Sequence, residues 1–142
     1  MKLLFCGSFK FLDDMKEAEK KLTSAAFECI LPRFSLGDFS SEKIEALKNE
    51  RKEKGLQKGE LEKIADVTKW FYEKLRECDA MLVFDKKGYI GLAASSEIGA
   101  AYILKKPVFF LEYPEDASIR AMLEFADNFR VVTLEELVKK GE

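Results

Sequence analysis

Short, mostly apolar runs alternate with amphipathic segments along the whole chain. Five runs have the length of a buried strand, and they occupy positions 2–6, 27–31, 80–84, 108–111 and 129–132. The segments between and after them predict helices at 13–25, 41–54, 60–77, 95–104, 118–126 and from 133 onwards. Strands that alternate with helices predict a parallel sheet covered on both faces. The expected fold is therefore α/β, a three-layer sandwich with a five-stranded parallel Rossmann-like or flavodoxin-like sheet, and we expect residues 1–142 to form a single domain.

The segment 78–111 is the part of this pattern on which the functional interpretation rests. A run that reads as a buried strand is followed by a polar loop that contains Asp85 and two glycines. Ser95 or Ser96 is a suitable N-cap for the helix that follows, and a proline separates that helix from the next apolar run. Open α/β sheets bind their ligands at a βαβ unit with such a polar, glycine-rich first turn. We therefore expect the functional site at this turn.

Composition and charge narrow the class of protein. A chain of 142 residues with 47% hydrophobic and 35% charged residues is typical of one soluble globular domain that buries its own core. The net charge of −2, with both signs interspersed, gives no electrostatic footprint for nucleic acid or for an anionic membrane. No apolar stretch has the length of a membrane span, and the N-terminus begins a strand rather than a signal peptide. We therefore expect a cytoplasmic protein that binds neither nucleic acid nor a membrane.

The titratable residues limit the chemistry that the chain can perform. Its three cysteines form no Cys-x-x-Cys pair, which argues against a disulfide framework and against a zinc site. The chain contains no histidine, which removes the nucleophilic triads that depend on it and the commonest metal ligand. Acid–base chemistry would therefore use carboxylates, Lys, Tyr, Cys or water, and no metal site is expected.

Polar residues follow the first, third and fourth predicted strands, whose carboxyl ends meet at one edge of a parallel sheet. Gly7 and Ser8 follow the first strand, although such a pair suits any tight turn. Glu97 would lie in the first turn of its helix, where backbone N–H groups and the dipole favour the ionised carboxylate. An ionised carboxylate held against a pocket can attack an electrophilic sugar carbon. The same position also suits a residue that only complements the dipole, and Asp85 is either a ligand contact or a loop cap.

Four stretches of the sequence resemble the nucleoside 2-deoxyribosyltransferase superfamily, which includes 2′-deoxynucleoside 5′-phosphate N-hydrolases. They are CGSF at 6–9, DAMLVFDKKGYIG at 79–91, SSEIGAA at 95–101 and KKPVFFLE at 105–112. The resemblance covers roughly 1–31 and 78–132. Between these two segments the chain resembles the family only in having helices there. It implies a five-stranded Rossmann-like sheet and a homodimer or higher homo-oligomer in which a partner completes each pocket.

The resemblance also implies an activity, namely cleavage or transfer at the N-glycosidic bond of 2′-deoxynucleosides or their 5′-monophosphates. The partner that it implies is therefore a small molecule, a nucleoside or nucleotide. Glu97 would attack C1′ and form a covalent glycosyl-enzyme, which water or a second base resolves. Asp85 would protonate the departing base or hold the sugar, and no metal or organic cofactor is required. The other implied substrate-binding residues are Gly7, Ser8 and Phe9 beside the sugar and base, Gly91, Ser95 and Ser96 towards the 5′ end, and Ser118 and Arg120 where a neighbouring subunit reaches in.

Departures from the family pattern leave the activity open. Many transferases carry an acidic residue shortly before the nucleophile, but 91–94 is uncharged and Asp85 lies twelve residues upstream of Glu97. This departure favours a nucleoside- or nucleotide-binding module that has lost the chemistry. The CGS stretch at the end of the first strand and the serines beside Glu97 favour instead a hydrolase-like, nucleotide-using member. A third alternative is a nucleotide-monophosphate phosphoribohydrolase, against which stands the absence of a Pro-Gly-Gly-x-Gly-Thr loop before the glutamate.

Overall fold

The computed structural model describes residues 1–34 and 41–141. Its strands are β1 (Lys2–Cys6), β2 (Glu28–Ile30), β3 (Ala80–Val83), β4 (Val108–Phe110) and β5 (Phe129–Val131). Its helices are α1 (Leu12–Ser24), α2 (Ser41–Lys54), α3 (Lys58–Glu77), α4 (Leu92–Ile103), α5 (Ala117–Phe125) and α6 (Leu134–Gly141). Short 3₁₀ turns follow β1 and β3, at Phe9–Phe11 and Lys86–Gly88. Most of the irregular segment predicted at 33–40 lies outside the described residues.

The five strands are all parallel and have the spatial order β2-β1-β3-β4-β5. Because β1 and β3 are neighbours, the order changes direction between them, and this switch point is where open α/β sheets bind ligands. Right-handed crossovers place α1 and α6 on one face of the sheet and α4 and α5 on the other. The two helices of each pair also pack against each other. The predicted α/β sandwich with a five-stranded parallel sheet is confirmed.

Alternate residues of β1 face opposite sides of the sheet, as the strand period requires. Leu3 and Phe5 belong to the hydrophobic core that also contains Met15 of α1. The sulfur of Cys6 lies on the other side, 4.0 Å from the carbonyl oxygen of Ala94 in α4. The register of β1 therefore brings the Cys6 thiol to the helix that contains the candidate nucleophile.

The described chain divides into two compact units. The first contains residues 1–32 and 74–141, and so the whole sheet and every candidate site residue. The second contains 33–34 and 41–73. Within it, Arg51 forms an ion pair with Glu60, and the Arg33 guanidinium lies 4.7 Å from the centre of the Trp70 ring. A single domain over 1–142 stays a prediction.

The helix after β3 begins one turn earlier than the sequence predicts. Gly91 is its N-cap, and no side-chain hydrogen bond caps this end. The predicted caps, Ser95 and Ser96, lie inside the helix, where Ser96 donates to the Leu92 carbonyl oxygen at 3.4 Å. Leucine and alanine at the three preceding positions have high helix propensity, which accounts for the longer helix. Glu97 therefore lies in the second turn of α4, and the prediction that places it in the first turn is wrong.

Candidate active site

The turn that leaves β1 is held close to the end of β3. A Cβ atom added at Gly7 would lie 3.0 Å from both the Phe84 carbonyl oxygen and the Met15 methyl carbon, so only glycine fits without displacement. Ser8 follows as the N-cap of the 3₁₀ turn, and its hydroxyl accepts a hydrogen bond from the Lys10 N–H at 3.4 Å. The Gly-Ser pair thus has a structural role, and it also borders the switch point of the sheet.

Asp85 is a fully buried carboxyl group directly after β3. Its Oδ1 atom accepts a hydrogen bond from the Glu112 N–H at 2.9 Å, and its backbone carbonyl accepts one from the Gly88 N–H at 2.7 Å. Its Oδ2 atom has no hydrogen-bond partner within the described part of the chain. Burial raises the pKa of Asp85 to about 7, although hydrogen bonds from backbone N–H groups act in the opposite direction.

Glu97 projects from α4 into a half-buried position. Its Oε2 atom lies 3.7 Å from the sulfur of Cys6, which donates a weak hydrogen bond to it. Burial raises the pKa of Glu97 to about 7, and the hydrogen bond from Cys6 lowers it in part. The sequence predicted that the helix dipole favours the ionised form of Glu97, but burial has the larger effect on its pKa because the dipole acts mainly in the first turn.

The buried thiol of Cys6 contacts Glu97 and is affected by the charges of both carboxyl groups. Burial raises the pKa of this thiol well above its usual range, and the charges of Glu97 and Asp85 raise it further. Cys6 is the register partner of Val83, and its carbonyl oxygen accepts the Phe84 N–H at 2.8 Å. The sequence places Cys6 at the end of the first predicted strand and assigns it no role in the site. The side chains of β1 alternate between the two faces of the sheet, and this alternation, combined with the strand order, is the signal that places Cys6 on the α4 side.

The other predicted site residues lie in the 3₁₀ turn after β1, in or just before α4, and in α5. Gly91 begins α4, Ser95 is half-buried within α4, and Phe9 is half-buried in the 3₁₀ turn after β1. Ser118 and Arg120 are exposed in the first turns of α5. Among the described residues, neither of these two forms a hydrogen bond or an ion pair with Asp85 or Glu97.

Arg120 is already engaged by its own loop. Its Nη1 atom donates to the Pro114 carbonyl oxygen at 3.3 Å, and its guanidinium lies 4.7 Å from the centre of the Tyr113 ring. This arrangement orders the loop between β4 and α5 and leaves the guanidinium on the surface of the subunit.

A cavity of about 250 Å³ opens beside Asp85, on the side of α1 and α6. Its walls come from α1, from the ends of β3 and β4 and from the start of α6, and Asp85 and Glu112 are among the residues that line it. Polar and charged side chains on such a small cavity suit part of a polar small molecule. In residues 1–34 and 41–141, no group of three or more Cys, Asp or Glu side chains is arranged to hold a metal ion. No helix in this part of the chain combines the length and the apolar character needed to cross a membrane.

Comparison with known proteins gives a likeness in structure only. No protein-family model and no curated protein matches the sequence. A solved structure of 2-deoxyribosyltransferase from the psychrotolerant bacterium Bacillus psychrosaccharolyticus aligns with a TM-score of 0.58 at 18% sequence identity, over 97% of this chain and 90% of that one. This chain has the fold of a 2-deoxyribosyltransferase. The resemblance carried by the four sequence stretches is thereby confirmed at the level of the fold.

A second solved structure, a conserved protein from Enterococcus faecalis V583, aligns with a TM-score of 0.47 at 14% identity, over 99% of this chain and 96% of that one. This similarity is too low to bear on the fold or the function of the chain. At 18% identity the 2-deoxyribosyltransferase-like fold establishes the scaffold, and the chemistry has to be argued from the residues of the site.

Proposed function

We propose that the protein cleaves or transfers the N-glycosidic bond of 2′-deoxynucleosides or their 5′-monophosphates through a covalent intermediate on Glu97. The observation that carries this proposal is two carboxyl groups near the switch point of the sheet, the fully buried Asp85 and the half-buried Glu97, each with a pKa that burial raises to about 7. The structural neighbour is a 2-deoxyribosyltransferase described as a biocatalyst for the synthesis of antiviral and antitumoral nucleosides, which supports a nucleoside as the substrate.

Two carboxyl groups with similar pKa values suit a reaction that needs one acid and one nucleophile. Near pH 7 a substantial fraction of the molecules carries one ionised and one protonated carboxyl group. In the first step, an ionised Glu97 oxygen forms a bond to C1′ while the bond from C1′ to the base breaks and its electron pair leaves with the base. In the second step, water or another base attacks C1′, the bond from C1′ to Glu97 breaks, and the proton that the attacking molecule loses returns to the ionised acid.

Asp85 is the acid that this scheme requires. Its Oδ1 atom accepts the Glu112 N–H, so the proton of the neutral acid belongs on Oδ2, which is buried and has no partner within the described residues. In this proposal that proton passes to a nitrogen of the departing base, and its transfer leaves the base neutral.

We also propose that the active form is a homodimer that uses α4 and α5. Leu92 and Ile103 at the two ends of α4 are 93% and 78% exposed, and Phe125 at the end of α5 is 85% exposed. Large apolar side chains exposed together on neighbouring helices are typical of an interface between proteins. A second copy packed on these helices would lie against the helix that contains Glu97, where it could complete the pocket.

A binding module without chemistry is the second candidate, and the uncharged stretch 91–94 is the observation that favours it. One experiment distinguishes the enzyme from the binding module. The protein is incubated with deoxynucleosides, ribonucleosides and their 5′-monophosphates, and free base is quantified by chromatography. The matched variants are Glu97→Gln and Glu124→Gln, since Glu124 is an exposed glutamate on α5.

We expect base release by the wild type and by Glu124→Gln, and none by Glu97→Gln. Exchange of the base when a second base is added would identify a transferase, and release without exchange would identify a hydrolase. If no substrate releases base but one of them raises the melting temperature, the binding module replaces the enzyme as the function of this site.

A further inference from the structure

The side chain at the end of β1 makes a specific polar contact across the site. The Cys6 sulfur lies 3.7 Å from Glu97 Oε2 and 4.0 Å from the Ala94 carbonyl oxygen, and the residue has no exposed surface. The contact joins positions that are 91 residues apart in the sequence, so it is fixed by the register of the sheet against α4. A fully buried hydrogen-bond donor aimed at the candidate nucleophile has a chemical consequence for that nucleophile.

We propose that Cys6 is a positioning residue, whose S–H group donates to Glu97 Oε2 and favours the ionised, correctly oriented carboxylate. The inference rests on the proposed function, because it assigns a role in preparing Glu97 for attack on C1′. It goes beyond that function, since the chemistry of bond cleavage requires only the two carboxyl groups.

The direction of the hydrogen bond follows from the surroundings of the thiol. The titratable groups that face it are Glu97 on α4 and Asp85 after β3, and both are acidic. Together with burial they raise the pKa of the Cys6 thiol, so the sulfur keeps its proton and acts as the donor. An ionised carboxylate is a stronger acceptor than a neutral carboxyl group, and the hydrogen bond therefore stabilises the charged form of Glu97.

Cysteine suits this position because it combines two properties. It packs as a small apolar residue, which a fully buried strand end requires, and it still supplies a weak S–H donor. Alanine would keep the packing of the backbone and remove the donor. Serine would keep a donor, and so the two substitutions separate packing from hydrogen bonding.

The test compares the pH dependence of kcat/KM for base release in the wild type, Cys6→Ala and Cys6→Ser. The matched control is Cys78→Ala, because Cys78 is also buried but donates to the Leu75 carbonyl oxygen at 3.2 Å, away from Glu97. For Cys6→Ala we expect the acidic limb to move to higher pH. On that limb we expect a loss of roughly two- to threefold, the low end of the range for one hydrogen bond, because the S–H group is a weak donor. Cys6→Ser and Cys78→Ala should keep the limb near its wild-type position.

A second readout does not depend on activity. The Glu97 carboxyl carbon is followed by ¹³C NMR during a pH titration, with its signal assigned by loss in Glu97→Gln. We expect a higher titration midpoint in Cys6→Ala than in the wild type or Cys6→Ser. An unchanged midpoint in Cys6→Ala, or the same displaced midpoint in Cys6→Ser, would overturn the role of Cys6 even if base is released. Failure of the proposed function is a different result, in which the wild type releases no base from any substrate.

Discussion

Replacement of Asp85 by asparagine should stabilise the folded protein at alkaline pH. In the folded chain the pKa of this fully buried carboxyl is raised from 3.8 to about 7. The folded state therefore holds the proton more tightly than the unfolded state, and stability falls as the pH rises from about 4 to about 7. At 1.36 kcal/mol for each pKa unit, the full loss above pH 7 is about 4 kcal/mol.

Asparagine removes this penalty but introduces a smaller one. Its oxygen can keep the hydrogen bond from the Glu112 N–H, while its amide nitrogen takes the place of the unpaired Oδ2 atom. A buried donor without a partner costs about 1 to 3 kcal/mol, so Asp85→Asn should gain about 1 to 3 kcal/mol of unfolding free energy at pH 8. At pH 5 the raised pKa of Asp85 has removed only part of this unfolding free energy from the wild type. The stabilisation by Asp85→Asn should therefore be smaller at pH 5 than at pH 8, by about 2 kcal/mol.

Urea denaturation of the wild type and Asp85→Asn at pH 5 and pH 8 measures these differences. Asp66→Asn on α3 is the control, because Asp66 is exposed and its replacement should have the same small effect at both pH values. An effect of Asp85→Asn that does not change between pH 5 and pH 8 would refute the reasoning, since it would mean that Asp85 titrates alike in the folded and unfolded states.

Three further predictions concern the same site and its surroundings. The pH profile of kcat/KM should be bell-shaped with a maximum near pH 7, because ionisation of Glu97 creates the nucleophile and ionisation of Asp85 removes the acid. A plateau that extends to pH 9 would contradict this prediction. Gly7→Ala should lower the unfolding free energy measured by urea denaturation by about 1 to 3 kcal/mol, because the new Cβ would lie 3.0 Å from the backbone of Phe84. Gly59→Ala is the control and should cause no such loss, because the space around Gly59 is open. The double variant Leu92→Lys, Ile103→Lys should convert a dimer to a monomer in size-exclusion chromatography with light scattering, and an unchanged mass would place the interface elsewhere.

Local patterns predict the elements of this fold because each pattern has a local physical cause. The five short apolar runs coincide with the five strands, and each is bounded by turn residues that end it. The helix predicted from 133 onwards begins as expected, since the Thr133 hydroxyl accepts the Glu136 N–H at 3.1 Å at the start of α6. Topological rules then lead from alternating strands and helices to a parallel sheet.

Other features depend on contacts that no local pattern contains. The first turn of α4 is uncapped, so helix propensity over 92–94 outweighed the serines as a start signal. The apolar residues that predict the helix at 60–77 indicate which face is apolar but not how deeply each residue is buried: Leu61 is 47% exposed while Leu75 is fully buried. The contact between Cys6 and Glu97 arises from strand order and register, and the pKa of Glu97 is set by the burial that this packing creates.

The most direct test of the account is detection of a deoxyribosyl group on Glu97. The protein is mixed with a deoxynucleoside that releases base, quenched rapidly in acid, digested and mapped by mass spectrometry, alongside Glu97→Gln. The account predicts a deoxyribosyl ester on the wild-type peptide that contains Glu97, and neither adduct nor base release in the variant. Base release by Glu97→Gln at the wild-type rate would contradict it, because bond cleavage would then proceed without the carboxylate that the proposal makes the nucleophile.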